Sequence, residues 1–261
     1  MIFQPLAARA QQKVARIGVL LVSGPEFMGP YREALRDLGY VEGRNIQFEV
    51  RSAEGNAGRL AELAAGLVRG KVDIIVASVT PAVTAARQAT SDIPIVMAPA
   101  GDPVATGLIS SLARPGGNIT GLSGTSAELS AKNLELIREV LPAARRVAVL
   151  FNATDPFAKP FLEHVQNGAQ MMRLDIQPIM VRGNDDLEGA FAAMARDQAD
   201  AVIVQGNLPI QLTVDLALKH RVPALSSAPS EMVRPNNSPS MRDRRSKPTW
   251  WLPAPCCAHG R

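Results

Sequence analysis

The second half of the chain repeats the first half at a spacing of about 130 residues, and this repeat restricts the fold more than any other sequence feature. Four short segments return in the same order. The pairs are residues 16–21 and 146–151, 45–47 and 175–177, 73–77 and 200–204, and 93–96 and 222–225. Four matches in one order at nearly constant spacing indicate two copies of one supersecondary arrangement.

Three of the four repeated segments are largely apolar and short, which is typical of a strand buried on both faces of a parallel sheet, and the fourth opens the alternating strand pattern of residues 45–50. Helical patterns lie between these segments; Tyr31, Leu35 and Leu38, for example, share one helix face. The sequence therefore predicts an α/β fold with two similar doubly wound parallel-sheet lobes and right-handed crossovers. We predict lobe 1 over residues 13–122 and lobe 2 over residues 123–228.

Residues 93–123 join the two predicted lobes. The pattern predicts a buried strand over 93–97, a helix from about Pro103, a glycine-rich loop over 115–118 and a short strand over 119–122. Because this last strand leads into lobe 2, we expect Gly121 and Ser123 to form part of a hinge.

The two ends of the chain do not follow the repeat. Residues 1–12 contain Ala8-Arg9-Ala10, the small-x-small form of a signal-peptidase site, and we interpret them as the remnant of a signal peptide. Residues 229–261 contain six of the 20 prolines, both tryptophans and both cysteines, without apolar periodicity. This tail is either a disordered basic segment or a frameshifted replacement of the true C-terminus, and the second lobe is expected to be incomplete.

Charge and motifs exclude several classes of function. The tail carries six of the 28 Lys and Arg residues and two of the 24 Asp and Glu residues, so residues 1–228 are neutral overall, which argues against nucleic-acid binding. Cys256 and Cys257 are adjacent and offer no spaced metal site. No GxSxG, P-loop or strand-associated GxGxxG motif is present, and His164 and His220 lie in helix patterns. We therefore expect a binding protein without catalysis, metal or cofactor.

Candidate ligand-binding residues follow the predicted strands of both lobes. In parallel α/β sheets, ligands bind at the carboxyl ends of strands, where helix N-termini present free N–H groups. Eight side chains in these loops are candidates: Ser23, Phe27, Ser78, Thr80, Asp102, Asn152, Asp155 and Asn207. We expect the hydroxyl and N–H groups near Ser78 and Thr80 to bind a carboxylate, and Asp102 or Asp155 to bind an amine.

Each candidate also has a purely structural interpretation. Asp102 and Asp155 precede prolines, as N-cap residues often do, and Ser78 or Thr80 would cap a helix that begins at Pro81. Phe27 is either a core residue or a stacking wall for an apolar ligand group. Asn152 and Asn207 occupy turns, where asparagine is common.

Five segments of the chain resemble the exported substrate-binding proteins of bacterial ABC transporters, in the group that includes tryptophan- and tyrosine-type binding proteins. They are residues 6–12, 35–46, 73–90, 93–123 and 147–156. The resemblance implies a type I periplasmic binding protein, a monomer that closes on a small polar ligand, with an amino acid as one option. It also implies a periplasmic location and a membrane permease and ATPase as partners. A ligand-sensing domain of the same fold, coupled to a regulatory partner, is the alternative.

Overall fold

Two parallel β-sheets, one from each half of the repeat, form the framework of the computed structural model, which describes residues 14–25, 28–124 and 126–226. The first sheet contains β1 (Ala15–Leu21), β2 (Ile46–Ser52), β3 (Ile74–Ala77), β4 (Ile95–Gly101) and β5 (Ile119–Gly124), in the order β2-β1-β3-β4-β5. The second contains β6 (Arg146–Asn152), β7 (Asp175–Val181), β8 (Ala201–Val204) and β9 (Ala224–Ser226), in the order β7-β6-β8-β9.

Seven α-helices connect these strands in the described residues. They are α1 (Met28–Asp37), α2 (Leu60–Arg69), α3 (Val79–Ala89), α4 (Ser126–Val140), α5 (Ala158–Met172), α6 (Asp185–Arg196) and α7 (Ile210–His220), and a short 3₁₀ helix covers Ala57–Arg59. In the described part of the chain, no helix combines the length and hydrophobicity that a transmembrane span requires.

The strand order confirms the predicted α/β fold with two similar parallel sheets. In both lobes the first strand of the lobe pairs with the second on one side and with the third on the other: β1 lies between β2 and β3, and β6 lies between β7 and β8. The registers also correspond, since Ile17 pairs with Ile74 in lobe 1 and Val147 pairs with Ala201 in lobe 2. The internal repeat of the sequence is therefore a repeat of structure.

Apolar side chains fill both faces of both sheets. Val19 and Leu20, neighbours on β1, point to opposite faces and are both fully buried. In lobe 2, α4 and α5 pack on one face around Phe161, and α6 and α7 pack on the other face around Phe191. Burial on both faces explains why β1, β3, β6 and β8 are continuous apolar runs, whereas the edge strands β2 and β7 carry polar residues and are partly exposed.

The predicted helix from Pro103 is wrong. Residues 102–118 form successive turns, in which the carbonyl of Pro103 accepts from both Leu108 and Ile109 at 2.8 and 3.1 Å. Gly107 and Gly116 have φ angles of +69° and +70°, which a right-handed helix does not accommodate. The preceding strand is longer than predicted, because β4 runs past Pro99 to Gly101 with a register shift between Met97 and Ala100. Such an irregularity tolerates a proline without an N–H group.

The two terminal predictions, the signal-peptide remnant over residues 1–12 and the atypical tail over residues 229–261, lie outside the described residues. The predicted hinge residues Gly121 and Ser123 lie within β5, paired with Met97 and Ala100 of β4. Pairing with β4 continues to Gly124, so the residues of β5 up to Gly124 all belong to the first sheet.

Gly121 is a position in β5 where only glycine fits, so its replacement should destabilise the protein. Its φ is +128°, and a Cβ atom there would lie 2.5 Å from the backbone N and O of Met97. Gly121→Ala should therefore lower the free energy of unfolding by about 3 kcal/mol, measured by denaturant titration. Gly189→Ala is the matched control, because Gly189 lies in α6 with open space around it. Equal stability of both variants would contradict the close strand contact.

Asn133 lies on α4, and its replacement should stabilise the protein. Its side chain is fully buried, and neither Nδ2 nor Oδ1 has a hydrogen-bond partner among the described residues. A buried amide without partners destabilises a fold by about 1–3 kcal/mol. Replacement by leucine, which is similar in size and apolar, should therefore raise the melting temperature. A lower melting temperature of Asn133→Leu would mean that the amide is satisfied in solution.

Candidate functional site

The carboxyl-end loops of the two sheets face each other, as the sequence predicted for a two-lobed fold. Gly55 follows β2 and approaches the side chain of Asn184, which follows β7; a Cβ on Gly55 would lie 3.2 Å from Asn184 Nδ2. Gly101 ends β4 and approaches the ring of Phe157, which follows β6. All four residues lie at or beyond the carboxyl ends of their strands, so the cleft between the lobes lies at these edges.

Thr80 supports the lobe 1 side of the cleft from within the protein. Its side chain is 1% exposed, and Oγ1 accepts a hydrogen bond from the backbone N–H of Gly101 at 3.1 Å. The predicted helix start at Pro81 is wrong, because α3 begins at Val79, and Ser78 is the N-cap residue without a side-chain capping bond. Ser78 is half-buried. In this conformation Ser78 therefore lies nearer to the cleft surface, and Thr80 holds the end of β4.

Two backbone outliers lie at the carboxyl ends of neighbouring strands β3 and β4. Val79 has a φ of +61°, a region that β-branched residues rarely adopt, and Asp102 has a φ of +23°. Strained residues persist only where the surrounding structure fixes them, and they cluster at functional sites. Their position beside Ser78 and Gly101 supports the assignment of the site to this edge.

Asp102 caps a turn and not a helix. Its Oδ1 accepts from the N–H of Ala105 at 2.9 Å, and its carbonyl accepts from the N–H and the hydroxyl of Thr106 at 3.0 and 2.9 Å. Asp102 therefore makes the expected capping hydrogen bond, but the element that it caps is a turn and not the predicted helix. The side chain remains half-buried.

Asp155 is the centre of a buried polar network in lobe 2. Its side chain is 5% exposed and accepts three hydrogen bonds, from Phe157 N at 2.9 Å, Gln205 Nε2 at 2.7 Å and Asn207 Nδ2 at 2.6 Å. The helix start predicted at Pro156 is wrong, since α5 begins at Ala158. The carboxylate thus joins the loop after β6 to the loop after β8.

Gln205 belongs to the Asp155 network, although it was not among the candidates from the sequence. It is 3% exposed, and its Oε1 accepts from the backbone N–H of Asn152 at 2.9 Å while its amide donates to Asp155. The only sequence signal was its position directly after the β8 strand pattern. Asn152 is also buried, and its Oδ1 accepts from the N–H and hydroxyl of Thr154 at 2.9 and 2.8 Å.

Burial and hydrogen bonding act in opposite directions on Asp155. Burial raises the pKa of its carboxyl from 3.8 to about 6, while the hydrogen bonds from Phe157 and Gln205 lower the pKa. The third donor, Asn207, also favours the ionised form. The Oδ1 atom of Asn207 is buried without a partner. The network therefore holds one carboxylate and one unsatisfied acceptor next to the cleft.

The remaining candidates lie apart from this network. Ser23 is exposed, and its carbonyl accepts from Ser52 Oγ at 2.6 Å. Phe27 lies outside the described residues. The described residues contain no group of three or more His, Cys, Asp or Glu side chains that could hold a metal ion.

An open depression of about 510 Å³ lies elsewhere, on the outer side of lobe 2. It is lined by Glu163, Gln166, Asn167, Ala169, Gln170, Leu174 and Ile176. Leu174 and Ile176 lie at the amino end of β7, the opposite edge of the sheet from the cleft. Because ligands of parallel sheets bind at the carboxyl edge, this depression is not the candidate site.

Comparison with known proteins bears on the family and the fold. The sequence profile of the family described as "ABC transporter substrate binding protein" matches residues 22–235. The tyrosine-binding protein of Clostridioides difficile (strain R20291) is 30% identical over 199 residues, which are 75% of this chain and 57% of that protein. The chain therefore spans little more than half the length of this relative.

Two solved structures share the fold. A conserved domain protein from Vibrio cholerae has a TM-score of 0.76 at 27% identity, over 84% of this chain and 76% of that chain. The ABC domain from Streptococcus pneumonia in complex with L-Trp has a TM-score of 0.71 at 24% identity, over 82% of this chain and 74% of that chain.

The raised pKa of Asp155 predicts a pH dependence of stability. A carboxyl whose pKa is higher in the folded state stabilises the fold when protonated, and this stabilisation is lost as pH rises from 3.8 through about 6. The unfolding free energy of the wild type, relative to Asp155→Asn, should fall by up to about 3 kcal/mol between pH 4 and pH 7. Denaturant titrations at several pH values measure this difference. Asp92→Asn, at the opposite edge of lobe 1, is the control, and a pH-independent difference for Asp155→Asn would contradict the assignment.

Proposed function

The chain belongs to the family of ABC transporter substrate-binding proteins, and from this premise we propose that it captures a small polar solute between its two lobes for an ABC importer. The observation that carries the proposal is the meeting of the two carboxyl edges at Gly101 and Phe157. A solute bound there contacts loops of both lobes, so its binding energy favours the closed arrangement.

We infer that the ligand is an amino acid, and we propose an aromatic amino acid as the first choice. The tyrosine-binding relative supports this choice, and so does the chemistry of the lobe 1 edge. α3 has eleven residues, and its free N–H groups and positive dipole end lie next to the Ser78 hydroxyl, a combination suited to a carboxylate. Asp102, at the end of the neighbouring strand, supplies a negative charge for the ammonium group.

The buried candidates have a supporting role in this proposal. The side chains of Thr80, Asn152, Asp155 and Asn207 make hydrogen bonds within their own lobes that fix the loops. We therefore propose Ser78 and Asp102 as the direct ligand contacts in lobe 1. Ser23 and Phe27 follow β1 and are proposed as further contacts at the same edge. A rigid loop binds more tightly than a mobile one, because less conformational entropy is lost on binding.

The proposed partners are a membrane permease and its ATPase, and the proposed location is extracytoplasmic. Both follow from the family and not from a surface of this chain. We propose that the protein acts as a monomer with one ligand per chain, without catalysis, and that bending at the crossing near Gly121 and Ser123 opens the cleft.

Ligand binding is tested by isothermal titration of the purified chain with L-tyrosine, L-tryptophan and L-leucine. We expect saturable one-to-one binding of L-tyrosine and weaker binding of L-leucine. Asp102→Asn should weaken L-tyrosine binding about tenfold or more, because it removes the proposed charge partner of the ammonium group. Asp92→Asn, at the amino end of the same strand, should bind as the wild type does. Equal affinity of both variants would remove Asp102 from the site, and no binding of any amino acid would refute the ligand class.

A further inference from the structure

We propose that the contact between Phe157 and Gly101 sets how far the two lobes close, and that both residues position the site for ligand capture. This inference rests on the proposed function for its meaning in ligand binding, but the contact itself is a property of the two lobes. It concerns two residues that were not among the candidates from the sequence.

Phe157 is fixed on its own lobe in two ways. Its backbone N–H donates to Asp155 Oδ1 at 2.9 Å, so its main chain is tied to the buried network. Its ring is 4% exposed and packs against the ring of Phe161, with centroids 6.0 Å apart and an angle of 47° between the planes. The ring therefore has a defined position when it meets lobe 1.

Gly101 is fixed on the opposite lobe. It is the last residue of β4, and its N–H donates to the buried hydroxyl of Thr80. A Cβ atom on Gly101 would lie 2.5, 2.7 and 2.9 Å from Cδ1, Cγ and Cε1 of Phe157. The φ of Gly101 is not among the positive ones, so glycine is required here for space and not for backbone conformation.

These contacts form one continuous path from lobe 1 to lobe 2: Thr80, Gly101, Phe157, Asp155, and then Gln205 and Asn207. Every step is a hydrogen bond or a van der Waals contact, and the only step between the lobes is that of the ring on the glycine. Because both sides are held by buried groups, neither can retreat easily from an added methyl group. The two lobes would have to separate instead. Ser78 and Asp102, which lie on lobe 1, would then move away from lobe 2.

Gly101→Ala tests this directly, since it adds one methyl group to the contact. We expect a larger separation of the lobes without ligand, an L-tyrosine affinity at least tenfold lower, and a melting temperature close to that of the wild type. Lobe separation is measured as the distance between spin labels on Glu62→Cys and Ala192→Cys, exposed positions on α2 and α6, in a full-length chain carrying Cys256→Ser and Cys257→Ser.

Phe157→Leu in the Gly101→Ala background is the rescue variant, because the smaller side chain makes room for the methyl group. It should restore the wild-type label distance, whereas Gly189→Ala, which adds a methyl group in open space, should leave the distance unchanged. An unchanged distance in Gly101→Ala, or no restoration by Phe157→Leu, would overturn the inference. The label distance does not depend on a ligand, so a failure to bind L-tyrosine would count against the proposed function alone.

Discussion

The carboxylate of Asp155 holds together the two loops through which lobe 2 faces the cleft. Removing a carboxylate from water is unfavourable by several kcal/mol unless hydrogen bonds replace the lost hydration. Here a backbone N–H and two side-chain amides provide part of that replacement, and they come from two loops that follow different strands. The same bonds that keep the charge buried therefore fix Phe157, Gln205 and Asn207 in place. Loss of any one donor leaves a buried charge with weaker compensation, so the loops are stable only as a set.

This arrangement explains why a polar network lies beneath a binding edge and not in the centre of a sheet. The strands β6 and β8 are neighbours, and their carboxyl ends leave the sheet side by side, where backbone groups need partners outside the sheet. Gln205 satisfies one of these groups, the N–H of Asn152, and Asp155 orders the start of α5 through Phe157. The cleft surface then consists of loops whose conformations are set from below. Such support is what a site needs in order to hold a ligand in one geometry.

Much of the fold could be predicted from the sequence, because apolar runs of strand length and their repetition are local patterns. The element boundaries at the site could not. The helix expected from Pro103 does not form, because the chain turns so that Leu108 and Ile109 both bond to the carbonyl of Pro103. These turns depend on glycines with positive φ, which look like ordinary loop residues in a sequence. Asp102 and Asp155 could be recognised as capping residues, but burial of Asp155 depends on Gln205, fifty positions away. Gly101 gave no signal at all, because its constraint is a ring from the other lobe.

The repeat also shows how two equivalent backbones support their loops differently. Ser78 and Thr80 follow β3 at the same distances at which Gln205 and Asn207 follow β8. Thr80 binds outward along the sheet, to the end of β4, whereas Asn207 binds the other way, to the loop after β6. Lobe 2 therefore holds a buried anion at its edge, while the equivalent positions of lobe 1 supply a neutral hydroxyl and backbone N–H groups. The loops at the two edges are therefore held by different means, a buried carboxylate in lobe 2 and a bond between a hydroxyl and the backbone in lobe 1.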